Sequence, residues 1–105
     1  MRVTVSHNRP VAEVKQAVNR SFDDLFKTMV NLPIQLLQEQ RSWNGDKLAF
    51  SLVAKLGLLS TPFKGTIEVT DRDVTIDVDF GLLERLIPAA KSREALGQRL
   101  KGLLK

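Results

Sequence analysis

The chain has no cysteine and a single histidine, His7, among its 105 residues. The first absence removes thiol nucleophiles, iron–sulfur ligation, cysteine-type zinc sites and any disulfide framework, and it agrees with a reducing compartment. The second leaves little room for metal or acid–base chemistry, because a lone histidine has neither a second histidine nor a cysteine to work with. Long apolar runs are missing too. No stretch approaches the roughly 18 residues needed to span a bilayer, and Met1 to Pro10, carrying Arg2, His7 and Arg9, lacks the apolar core of a secretory signal. A cytoplasmic protein without a transmembrane segment is the expectation. No low-complexity tract, internal repeat or Ser/Gly linker divides the chain, so a single domain over residues 1–105 is expected.

What is present suits a self-sufficient globular domain: 43% of residues are hydrophobic and 27% charged. A chain of this length buries roughly 65% of its unfolded surface, enough to fold without a metal or a disulfide. The net charge of +4 is unevenly placed. Ten Lys or Arg cancel ten Asp or Glu over residues 1–83. Beyond them Arg85, Lys91, Arg93, Arg99, Lys101 and Lys105 face only Glu84 and Glu94, six against two, which is the whole excess of four. An acidic partner would therefore meet the C-terminal tail first.

Periodicity sets the architecture. Val3 and Val5 alternate with Arg2, Thr4 and Ser6 as in a short strand. Val11, Val14, Val18, Phe22, Leu25 and Met29 then recur at steps of three and four, which predicts one amphipathic helix with Pro10 in its first turn and an end before Pro33. A strand over Ile34 to Trp43 leads into Asn44-Gly45, read as the positive-φ pair of a tight hairpin turn, and a third strand covers Lys47 to Lys55. The fourth strand places Phe63, Ile67 and Val69 on the core side. The fifth opposes Val74, Ile76, Val78 and Phe80 to Asp73, Thr75, Asp77 and Asp79. Leu82 to Lys105 is helical in pattern, with Pro88 kinking it or starting a new helix. The order β-α-β-β-β-β-α predicts an α+β domain, an antiparallel sheet with two helices packed on one face.

Over nearly its whole length the chain resembles the polyhydroxyalkanoic acid system proteins, small bacterial proteins encoded beside polyester storage genes. The resemblance rests on Ser6-His7-Asn8 ahead of the first helix and on Trp43-Asn44-Gly45-Asp46-Lys47-Leu48-Ala49-Phe50-Ser51 at the hairpin. It continues through Gly65-Thr66-Ile67-Glu68-Val69-Thr70-Asp71, Asp77-Val78-Asp79-Phe80 and a Leu-rich tail. It implies a cytoplasmic accessory role in granule storage, with a polyester granule surface or a granule-associated protein as partner, and brings no catalytic residues with it.

The residues themselves offer no catalytic or metal constellation. His7, between a strand and a helix, is expected to cap or pack locally. Asp71, Asp73, Asp77 and Asp79 lack the glycine and terminal glutamate of a calcium loop; Asp71 falls in a turn, and alternation puts Asp73, Asp77 and Asp79 on a solvated strand face. None of the serines lies in a nucleophile elbow, and there is no Gly-rich phosphate loop. No enzyme activity, cofactor or metal is expected. Nucleic-acid binding through the sheet is disfavoured as well, since apart from Trp43 its exposed face offers Lys, Glu, Thr and Asp rather than aromatics.

Two surfaces are candidates for binding. In the last helix Leu96, Leu100, Leu103 and Leu104 share one side while Lys91, Arg93, Arg99, Lys101 and Lys105 lie around the rest. Such a helix either docks its leucines on the sheet or presents them, with its cations, to a hydrophobic surface bearing anionic groups. The other surface is Leu56-Gly57-Leu58-Leu59, apolar where a connection is normally polar: buried under the last helix, a strand continuation or, if exposed, a homodimer contact or a polymer-binding lip. Two further classes stay open. One is a small carrier of helix-grip type, with an apolar ligand among Phe50, Ile67, Ile76 and Phe80. The other is a regulatory nucleic-acid contact by the basic tail.

Overall fold

The computed structural model describes residues 1–30, 34–85 and 89–104. Five strands form one antiparallel sheet: β1 (Arg2–Ser6), β2 (Gln35–Asn44), β3 (Lys47–Leu56), β4 (Leu59–Val69) and β5 (Asp73–Asp79). Their order in the sheet is β1-β5-β4-β3-β2, so β2 to β5 are a continuous meander and β1 closes on its last strand. Helices α1 (Val11–Arg20), α2 (Phe22–Val30) and α3 (Ala89–Leu103) belong to the same domain, with a 3-10 turn at Gly81–Arg85 ahead of α3. The fold is α+β, as the patterning predicts.

Alternation decides which face each strand buries. The register joins Val3, Ile76, Ile67, Leu48 and Trp43 into one inner row and Val5, Val74 and Val69 into another. The outer rows are polar: Thr4, Thr75, Glu68, Lys47 and Asn44, then Arg2, Asp77, Thr66, Ala49 and Ser42. Helices α1 and α2 add Val14, Val18, Phe22, Leu25 and Phe26 to the core, and α3 adds Leu96 and Leu100, all at 0% exposure. Phe22, Phe26 and Phe50 stack with ring centroids 4.8 to 5.1 Å apart. The molecule measures 41 × 26 × 18 Å.

Three sequence expectations are corrected. The first helix is two helices, interrupted at Ser21, whose φ of −103° and ψ of 13° end α1. Its amide still donates to Ala17 at 3.1 Å and its carbonyl accepts from Leu25 at 2.9 Å, so the apolar face stays in phase across the break. The hairpin turn is Gly45-Asp46 rather than Asn44-Gly45, because Asn44 is the last residue of β2 and pairs with Lys47. Only Gly45, at φ 63°, is left-handed there. Trp43 lies on the inner face of the edge strand, beneath Lys15, whose Nζ is 4.9 Å from the ring centroid, and not on the exposed face. The strand β2 also carries an unforeseen bulge between Leu37 and Gln40, with Gln38 at φ 53°. The expected stop before Pro33, the Pro88 break, the Met29 side chain and Lys105 lie outside the described residues.

Candidate functional site

The connection between β3 and β4 is a two-residue turn, Gly57-Leu58, closed by the pair Leu56 and Leu59. Gly57 takes φ 60°, the position glycine fills at the first central residue of a type II′ turn. The second central residue then projects into solvent, and Leu58 is 104% exposed. Its neighbours behave differently. Leu56 and Leu59 are half-buried against the core, which extends to the tip of the hairpin along the inner face.

Two more leucines are exposed near this tip. Leu37, 42% exposed, belongs to the outer row of Val53 and Pro62, three rungs from the closing pair. Leu82, 57% exposed, sits in the 3-10 turn, whose backbone is tied to β4 by the Leu82 amide donating to Thr61 Oγ1 at 3.0 Å. Thr61 is two rungs from the tip. At about 3.3 Å per residue, the anchors of all three lie within roughly 10 Å of the turn along the strands. Leu37, Leu58 and Leu82 are the exposed large hydrophobics among the described residues; their anchors lie toward the same end of the sheet, Leu37 on its outer face, Leu58 at the turn and Leu82 on the side of the inner-row Thr61. Lys55, beside Leu56, and Arg85, on the turn that bears Leu82, are exposed there as well.

The last helix is used differently. Leu96, Leu100 and Leu104 are buried and Leu103 is half-buried, so its apolar face is spent on the core. Among its cations Arg99 is committed to Asp24 of α2, donating from Nε to Oδ2 at 2.6 Å. Lys91, Arg93 and Lys101 are exposed. The helix runs away from the hairpin tip: the Leu104 carbonyl accepts from Arg9 Nε at 3.0 Å, and Arg9 adjoins His7. His7 in turn donates from Nε2 to the Thr70 carbonyl, 2.8 Å away beyond the far end of β4. With 11 residues in β4, the two ends stand about 35 Å apart. Of the residues singled out from sequence, Leu58 stands in solvent at the hairpin tip, Leu56 and Leu59 pack inward beside it, and Lys91, Arg93 and Lys101 are exposed on α3. Leu37 and Leu82 were missed, although the doublets Leu36-Leu37 and Leu82-Leu83 signal apolar side chains on both sides of an element.

The remaining polar candidates have local tasks. His7 is 8% exposed, and its Nδ1 accepts the Arg9 amide at 3.1 Å, which with the Thr70 contact occupies both ring nitrogens and assigns the proton to Nε2. Asp73 accepts from Thr70 Oγ1 at 2.9 Å, Asp77 meets Arg2 at 3.7 Å, and Asp79 accepts the Gly81 amide at 2.9 Å. Among the described residues no group of three or more metal-ligating side chains comes together. No described helix is long and apolar enough to cross a membrane. Phe50, Ile67, Ile76 and Phe80 are core residues at 0 to 4% exposure, with the rings of Phe22 and Phe26 against Phe50 and Phe63 against Phe80. No protein-family model, curated protein or solved structure matches the chain.

Proposed function

We propose that the protein is a non-catalytic accessory protein of polyester granule storage that rests on the granule's hydrophobic surface through the end of its β3–β4 hairpin. The observation that carries this reading is Leu58, fully in solvent at the hairpin tip, flanked by exposed Leu37 and Leu82 on the two faces of the same end of the sheet. Isolated surface leucines are ordinary, whereas a group at one tip marks a contact with an apolar surface. Lys55 and Arg85 beside it suit a surface whose chain ends or bound lipids are anionic. The polyester itself comes from the family resemblance; the hydrophobic contact comes from the leucines. The tail takes no direct part in this reading, because its leucines already serve the core.

The absence of cysteine allows a single label to be placed at will. An environment-sensitive fluorophore on Leu58→Cys should shift its emission to the blue when purified polyester granules are added, while the same label on Lys101→Cys should not move. Equal shifts at both positions, or none at 58, would contradict the reading.

A further inference from the structure

The two edges of the sheet are built differently. Strand β2 carries the features that discourage an added strand: a bulge at Gln38 and Glu39, the ion pair of Glu39 with Arg41 at 3.1 Å, and a polar run from Gln38 to Ser42. Strand β1 has neither bulge nor proline. Its hydrogen-bonding phase follows from its two ends. Met1 and Val78 exchange bonds of 2.8 Å in both directions, and the His7 amide donates to Arg72 at 2.8 Å. Antiparallel pairing alternates, so Met1, Val3, Val5 and His7 turn their backbone groups toward β5, and Arg2, Thr4 and Ser6 turn theirs away from the sheet. All three outward-facing residues are exposed.

A cleft of about 910 Å³ borders this edge. Thr4 and Ser6 form one wall, Pro10 and Glu13 of the α1 entry another, and Lys101 and Leu104 at the end of α3 the third. Glu13, its carboxylate, is already met by Arg9 at 3.5 Å. Among the described residues Lys101 is in none of the ion pairs. The cleft thus has an open backbone ladder, an apolar margin and an exposed cation, Lys101. The other side of β1 shows which strand chemistry it accepts: β5 alternates apolar residues with Asp73, Thr75, Asp77 and Asp79, and sets Asp77 opposite Arg2.

We infer that the free edge of β1 receives an extended, acidic peptide segment of a partner protein as a sixth strand. Main-chain bonds to Arg2, Thr4 and Ser6 supply the affinity, and alternate side chains supply the selection. Carboxylates on its outer face lie beside Arg2, which also meets Asp77 at 3.7 Å, and the alternate side chains lie toward Leu104 and Pro10, with Lys101 lining the same cleft. This surface is at the opposite end from the leucine cluster, so a protein seated on a granule would keep it open.

The test uses the full chain, labelled with 15N, and a capped seven-residue peptide copying residues 73–79. A control peptide has lysine at the three aspartate positions. Saturable shifts and slowed amide exchange at Arg2, Thr4 and Ser6 are expected, with the lysine peptide weaker by about fivefold or more. Thr4→Pro removes one outward donor and leaves the ladder to β5 intact, because proline is tolerated where the amide faces outward. Binding should be lost in that variant. Should Thr4→Pro fail to fold, Lys101→Glu decides instead, and is expected to reverse the preference between the two peptides. No saturable shift at millimolar peptide, shifts centred on β2, equal binding of both peptides, or binding that survives Thr4→Pro would each overturn the inference. Granule contact, read by the label at position 58, is unaffected by any of these results.

Discussion

Phe50 lies across from Gly65 on the neighbouring strand, and its ring occupies the place a side chain at 65 would need. A Cβ built there would sit 2.9 Å from Phe50 Cζ and 2.9 Å from Val78 Cα, and would collide with the Asp77 carbonyl. The first contact could yield, since a ring edge moves; the β5 backbone cannot. Phe50 also carries the rings of Phe22 and Phe26, so the contact passes strain into the helix layer. Gly65→Ala is therefore expected to destabilise the domain by about 2 kcal/mol or more. Urea unfolding should show a lower midpoint at unchanged slope.

The last helix completes the core, which bears on how its role is tested. Leu100 is fully buried, and Leu100→Ala should cost about 2–5 kcal/mol. Deleting residues 91–105 removes Leu96, Leu100 and Leu104 together and is expected to unfold the chain, seen as lost dispersion in its NMR spectrum. A loss of binding on truncation would thus report folding rather than contact. Point substitutions at exposed positions avoid the difficulty.

Arg99 and Asp24 join α3 to α2 from sites 75 positions apart in sequence, each side chain 49% exposed. At that exposure the pair is worth about 1 kcal/mol at most. Asp24→Ala should lower stability by no more than that, with the difference shrinking at high salt. The swapped pair, Asp24→Arg with Arg99→Asp, should recover most of it in a double-mutant cycle.

Gln38 adopts φ 53° in the bulge of β2 without being glycine. The left-handed region costs a residue with a Cβ about 1–2 kcal/mol, while glycine gives back roughly half of that as chain entropy. Gln38→Gly is expected to raise stability by about 0.5–1 kcal/mol, measurable as a small increase in melting temperature.

Much of this fold is legible in the residues. The alternation of Leu48, Phe50 and Leu52, and of Val74, Ile76 and Val78, fixes which face each strand buries, because a slip by one residue would expose every apolar side chain. The break at Ser21 is not legible, since Val18, Phe22 and Leu25 keep helical spacing whether one helix or two carries them. The Gln38 bulge is hidden for a related reason: Gln38 to Ser42 is polar throughout and marks no register. The leucine cluster is harder still. Leu37, Leu58 and Leu82 come from an edge strand, a turn tip and a 3-10 turn, and only the pairing of β2, β3 and β4 with the Thr61 bond brings them together. Local pattern identifies Leu58 as unusual but cannot supply its neighbours.

The central claim is that the hairpin end holds the protein on a hydrophobic surface, and co-sedimentation with purified polyester granules tests it most directly. Leu58 makes no core contact that its loss would disturb, so Leu58→Asp should leave stability within about 0.5 kcal/mol of the original. Removing one buried leucine from the contact should weaken granule binding by about tenfold or more. Combining Leu37→Ser and Leu82→Ser with it should abolish sedimentation, while Lys101→Glu sediments like the unmodified chain. A folded Leu58→Asp variant that sediments as the original does, or an original chain that stays in the supernatant, would contradict the account.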